Sequence, residues 1–142
     1  IKSRNVTQKR LELCGIKKIN EIIIPHKENI LCNKIQICIN RNVDIILIIG
    51  PHAITHIKDV IPNAISKSGA KIIRFGIPVE PGNLLLLSKF KSSNKDIYII
   101  GMPSCAKSPK ENGLDWVLWR ILCNINFKNS NLNELSVGGL IK

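Results

Sequence analysis

Asp44-Ile-Ile-Leu-Ile-Ile49 is an uninterrupted apolar, mostly β-branched run that stops at Gly50-Pro51. A run this short and this apolar reads as a central strand buried on both faces. Its neighbours read as helices. Residues 27–41 place Ile30, Leu31, Ile35, Cys38 and Ile39 at three- and four-residue spacing, one buried stripe. Residues 59–68 read as a second helix, ended by Gly69, and residues 71–75 as the next strand. Residues 4–14 predict a short helix with Val6, Leu11 and Leu13 as apolar members and Gly15 as its stop, and residues 19–24 a strand closed by Pro25. Leu84 to Leu87 reads as a strand, residues 91–95 as a polar turn, and residues 97–100 as a further strand. Helices alternating with apolar strands predict an α/β protein, a three-layer α/β/α sandwich on a mostly parallel sheet.

The 142 residues suit a single domain with one good core. The chain begins at Ile1 and ends after Val137-Gly-Gly-Leu-Ile-Lys142, so a piece of a longer protein is expected. The Asn/Ser-rich residues 126–142 would be a covering segment or a linker to the next domain. No run of about 18 apolar residues occurs and no signal peptide is visible, which predicts a cytoplasmic protein without a membrane partner. The net charge of +11 comes from 21 Lys and Arg against 10 Asp and Glu. The lysines are scattered and no basic run is interleaved with aromatics, so a solvated basic surface is expected rather than a nucleic-acid groove. The 5 cysteines show no C-x-x-C pairing and no zinc spacing with the 3 histidines, which predicts reduced thiols used as small apolar residues.

The most densely marked stretch is Gly101-Met-Pro-Ser-Cys-Ala-Lys-Ser-Pro-Lys-Glu-Asn-Gly-Leu-Asp-Trp116. A strand leads into a Gly/Pro turn and then a helix, for which Ser108, Pro109 and Glu111 supply a cap, a first-turn proline and a Ser-x-x-Glu capping box. The loop before it would bring free N–H groups and a helix dipole onto one anion, most often a phosphate. In parallel sheets ligands sit beyond the carboxyl ends of strands. The loops at residues 50–59 and 101–108 and the turn at residues 78–83 all follow strands and together predict a pocket. In the first, Thr55 is a ligand hydroxyl and Asp59 is either a Mg²⁺ ligand or the cap of the following helix. His52 and His56 lack a third ligand for a metal site. Cys105 is either a nucleophile or a small residue in a tight turn.

Three stretches carry a resemblance. IIGPHAITHIKDVIPNAI, PVEPGNLLL and IIGMPSCAKSPKENGLDWVL occur in that order and are similar to motifs of the molybdopterin-binding domain shared by the MogA/MoaB and MoeA proteins of molybdenum cofactor synthesis. The likeness spans nearly the whole chain and is nearest to a bacterial subfamily in which such a domain precedes a nucleotidyltransferase domain. The resemblance implies a MoaB/Mog-like three-layer fold that binds molybdopterin or its adenylate with Mg²⁺, often as an oligomer. Carried over by position, the ligand would meet Gly50, Thr55, Asp59, Pro81, Gly82, Asn83, Pro103, Ser104 and Ser108, with Cys105 and Lys107 in the same loop and Asp59 at the metal. An active member would be a molybdopterin adenylyltransferase or molybdenumtransferase. The chain differs from the pattern at Pro51, where the family has a second glycine, and at Glu80 and Asn83, where it has lysines. It differs also around His26 and Lys27, where active enzymes carry an Asp.

The last helix reads as apolar on two sides. Leu114, Val117, Leu118, Ile121, Leu122 and Ile125 form a core stripe, while Trp116, Trp119 and Cys123 recur on the other face. Either Leu132, Leu135 and Leu140 fold back over the tryptophans, or Trp116 and Trp119 anchor a subunit or domain interface. The function predicted is molybdopterin binding in cofactor synthesis. The alternatives are a degenerate scaffold or dimerisation domain of a nucleotidyltransferase and, on charge alone, a nucleic-acid module.

Overall fold

Short connections decide the sheet. In the computed structural model, which describes residues 2–78 and 81–123, helix α1 spans Lys2–Leu13, α2 Glu28–Asn40, α3 Val60–Lys67 and α4 Gly113–Leu122. Strand β1 spans Ile45–Ile48, β2 Lys71–Phe75, β3 Leu86–Lys91 and β4 Asp96–Gly101, and Ser104–Lys107 forms a 3₁₀ turn. The sheet order is β1-β4-β3-β2. Ser92 N–H donates to Lys95 O across 2.9 Å and folds β3 straight back onto β4, a connection far too short for the crossover a parallel pair requires. Pairs β3/β4 and β2/β3 are therefore antiparallel, and only β1/β4 is parallel, in the register Ile45↔Tyr98 to Ile48↔Gly101. The protein is mixed α/β, and its sheet is mostly antiparallel where a mostly parallel one was expected.

The chain divides into two compact units. One holds the described residues of Ile1–Ile22, Ile77–Asn83 and Ser104–Lys142, and the other holds Ile23–Gly76 and Leu84–Pro103. The second, the sheet unit, is built on Ile35 of α2, Ile61, Ala64 and Ile65 of α3, and Ile48, Leu86 and Ile99 of the strands. Burial on this scale contributes about 1.5–3 kcal/mol for each large aliphatic side chain. Within it, β1 pairs only with β4 and so lies at an edge of the sheet among the described residues, not at its centre, and Ile49 is exposed. The run of isoleucines signals a strand but not how many neighbours it has. Residues 19–24, expected as a strand, join no ladder among the described residues, and Ile23 is 87% exposed. Strand propensity is realised only against a cross-strand partner. The stripe of α2 is narrower than expected, since Leu31 and Ile35 are buried but Ile30 is exposed.

Glu28 ties α2 to α3. Its carboxylate pairs with Lys67 and accepts a hydrogen bond from Asn63 Nδ2 at 3.3 Å. The bond to Lys67 holds the Glu28 carboxyl below its ordinary 4.5 against the opposing effect of desolvation, and Glu28 in turn holds Lys67 above 10.5. A depressed carboxyl stabilises the fold above the unfolded value and stops doing so as pH falls through the folded one; the raised lysine does the mirror image at high pH. Glu28→Gln should therefore flatten the acid limb of the melting temperature as pH falls through and below the carboxyl's ordinary 4.5. A limb identical to that of the wild type in a thermal-melt pH series would contradict this tie.

The other unit, the loop unit, opens with α1. Gly15, at φ 82°, ends it in a Schellman motif, with Ile16 N–H donating to Leu11 O at 3.0 Å and Gly15 N–H to Glu12 O at 2.9 Å. Leu11 is buried as expected but Leu13 is 89% exposed, because the face of α1 that turns inward runs through Arg10 and Leu11. The start of α4 also differs. Asn112 is the cap, its Oδ1 accepting from Leu114 N–H at 3.0 Å while Asp115 Oδ2 accepts from Asn112 N–H at 2.9 Å. The capping box is thus Asn112-x-x-Asp115, four residues beyond the predicted Ser108-x-x-Glu111. Both fit the pattern; the later one wins because Asp115 has a buried cation to meet.

Candidate functional site

The motif residues fall into both units. In the sheet unit, β1 and β4 run the same way, and Met102 N–H donates to Ile48 O at 2.9 Å, carrying the pairing past the end of β4. Gly50 and Pro103 therefore leave the sheet at the same carboxyl edge. The loop after Gly50 closes on itself through Asp59, whose Oδ2 accepts from Thr55 N–H at 3.1 Å and His56 N–H at 3.0 Å. Lys58 N–H donates to His56 Nδ1 at 3.0 Å. Asp59 occupies the expected cap position of α3, but its side chain bonds the backbone of its own loop and not the helix, so it also latches that loop. The latched loop walls a cleft of about 280 Å³ lined by His26, His52, Ala53, Ile54, Thr55, Asp59, Val60 and Ile61. Thr55 and Asp59 thus come together there. Gly50 lies beneath, where an added Cβ would stand 2.9 Å from Ile61 Cδ1 and 3.7 Å from His26 Cε1.

The cleft's lining holds two imidazoles, one carboxylate and no Lys or Arg. Among the described residues no three His, Cys, Asp or Glu side chains converge as a metal would need. Mg²⁺ typically needs only one or two carboxylates and completes its shell with water and substrate phosphate. His26 lines the cleft, although the sequence marked it only as a departure from the family pattern and not as a site residue. Its place just after Pro25, at the entry to α2, was the available signal.

In the loop unit, Pro81 O accepts Gly113 N–H at 2.9 Å, Asn83 O accepts Ile77 N–H at 2.8 Å, and Gly82 is buried at φ 115° against Gly113. Pro81 and Gly82 therefore seat the start of α4. Asn83 is exposed, and Glu80 lies outside the described residues. Ser104 and Lys107 are exposed on the 3₁₀ turn, and Cys105 and Ser108 are half-buried. Cys105 O accepts Ser108 N–H at 3.0 Å, and Ser108 Oγ accepts Lys110 N–H at 3.3 Å.

The N-terminus of α4, expected to await a phosphate, already holds an anion. Asp115 is buried there, and Arg10 Nε donates to its Oδ1 at 2.5 Å. The same guanidinium donates through Nη1 to Ala106 O at 2.9 Å and through Nη2 to Ser108 O at 3.0 Å and Lys110 O at 3.3 Å. Neither Arg10 nor Asp115 was singled out from sequence; only Asn-x-x-Asp was readable, as a second capping pattern.

On the outer side of α4, Trp116 is half-buried, with its indole N–H donating to Glu111 Oε1 at 2.9 Å and Arg120 6.0 Å from its ring centroid. Trp119 and Leu122 are exposed. The proposed fold-back segment, residues 126–142, lies outside the described residues. No helix among the described residues is long and apolar enough to cross a membrane. Comparison with family models, curated proteins and solved structures returned no match.

Proposed function

We propose that this chain binds molybdopterin or its adenylate as part of molybdenum cofactor synthesis, within a MoaB/Mog-like three-layer fold. Three ordered motifs similar to that family support the reading. The observation that carries it is the common carboxyl edge of the parallel pair β1/β4. There two of the motif loops depart, and the one after Gly50 walls a cleft. Ligands of α/β sheets gather at such edges. At about 280 Å³ the cleft sits just below the ~300 Å³ at which small-molecule pockets begin, so it suits a pterin- or phosphate-sized part of the ligand and not a whole adenylate. Its walls offer apolar contact from Ile54, Val60 and Ile61 and polar groups from Thr55, His26 and His52. Mg²⁺ would enter with the phosphate it neutralises.

A second reading, a scaffold or dimerisation domain beside a nucleotidyltransferase in the cytoplasm, is favoured by Trp119 and Leu122, which are 45% and 41% exposed on one helix. Aromatic anchors are enriched at interfaces. Calorimetric titration with molybdopterin and its adenylate, with and without Mg²⁺, separates the two. Saturable binding at tens of micromolar or tighter is expected of the first, and none of the second.

A further inference from the structure

The register of the sheet gathers lysines that the sequence scatters. Lys71 of β2 stands directly opposite Lys89 of β3, Lys89 opposite Tyr98 of β4, and Lys91 opposite Asp96. Directly paired residues, and residues two apart on one strand, share a face. That face points away from α2 and α3, because the alternate residues Ile72, Phe90 and Ile99 pack into the core that those helices help to form. Lys71 and Lys91 are exposed, the Lys89 side chain is 36% exposed, and Tyr98 is half-buried. Like charges directly opposite destabilise a sheet, and Lys71 and Lys89 are such a pair. The acid of the group, Asp96, lies 3.6 Å from Lys89 Nζ, and an exposed pair of that length contributes little. Three ammonium groups thus accompany one carboxylate, a surplus that folding does not use.

We propose that this face binds single-stranded nucleic acid, with Lys71, Lys89 and Lys91 on phosphates and Tyr98 stacked against a base. Two strand spacings separate the Cα atoms of Tyr98 and Lys71 by about 10 Å, which a base and a nearby phosphate can span given the length of a lysine. Cations beside an aromatic platform are the recurring means of holding single strands, whereas an acidic protein would leave the tyrosine unused. The net charge of +11 steers a polyanion toward the protein. The face lies wholly within the sheet unit and is independent of the molybdopterin reading.

A fluorescein-labelled oligouridylate, titrated with the protein at low salt and followed by anisotropy, is the test. Saturable binding is expected, with log K falling against log salt at a slope of about −2, the value for three phosphate contacts on a single strand. Lys71→Gln, Lys89→Gln and Lys91→Gln together should weaken it about tenfold or more and flatten the slope. The melting temperature should not fall, since the repulsion between Lys71 and Lys89 is relieved. Tyr98→Leu should weaken binding about fivefold or more with the slope kept. Lys9→Gln, Lys17→Gln and Lys18→Gln, at exposed positions of the loop unit, remove the same charge and should change the affinity by less than about twofold. Absence of binding by the wild type, or an equal loss in both lysine triples, overturns the proposal. So does a folded Tyr98→Leu variant with wild-type affinity, or tighter binding of a polyglutamate peptide or of phosphatidylserine vesicles than of the oligonucleotide. Should Tyr98→Leu fail to fold, the two lysine triples decide.

Discussion

Asp115→Ala should lower the unfolding free energy by about 3–5 kcal/mol, because it strands a buried guanidinium. Arg10 and Asp115 have side chains only 6% and 10% exposed and are 105 residues apart in sequence. The same substitution removes the acceptor of Asn112 N–H and half of the α4 capping box, a loss of about 1 kcal/mol in ordinary helices. Domains of this size are stable by about 5–15 kcal/mol, so the variant should be close to unfolding at moderate temperature. Replacing both partners with Met and Leu should recover most of the loss, since burying no ion avoids the desolvation cost that the pair offsets. Urea unfolding followed by circular dichroism checks both. A single variant within about 1 kcal/mol of wild type would mean that the pair does not organise the loop unit.

Gly82→Ala is the second large effect. At φ 115° an L-residue is strained before any contact is counted, and an added Cβ would stand 2.5 Å from Gly113 N and 2.8 Å from Gly113 Cα. Those are backbone atoms, tied by the bond from Gly113 N–H to Pro81 O, and they cannot swing away. A loss of about 3 kcal/mol or more is expected. Gly15 provides the control, because its φ is 82° but nothing lies within 4 Å of an added Cβ. Gly15→Ala should cost only the conformational part, about 1–2 kcal/mol. Equal losses at the two glycines in parallel melts would show that conformation alone matters and that the close approach of Gly82 to Gly113 is not a tight contact.

The same two features mark where the sequence was readable. The boundaries of β2 were legible to the residue, and Asp59 at the mouth of α3 was legible as a cap position, because apolar periodicity and turn residues are local signals. Strand direction is not local. The polar residues after β3 showed a turn, but the direction of β4 follows from that turn's length, not from the alternation of helices and strands. The capping box was ambiguous for a similar reason. Ser108-x-x-Glu111 and Asn112-x-x-Asp115 satisfy one pattern, and the choice depends on Arg10, about a hundred residues upstream. At the candidate site, Thr55 and Asp59 were found by their place after a strand, but the latch that Asp59 forms was not. Pro81 and Gly82 read as ligand contacts, and their part in seating α4, which depends on Gly113 about thirty residues on, was not legible.

Molybdopterin binding is the claim on which the functional account turns, and calorimetric titration of the wild-type chain tests it most directly. The account predicts a saturable isotherm with a dissociation constant of tens of micromolar or below, corresponding to about −6 kcal/mol or better. Heats indistinguishable from dilution for both molybdopterin and its adenylate, with and without Mg²⁺, would contradict it.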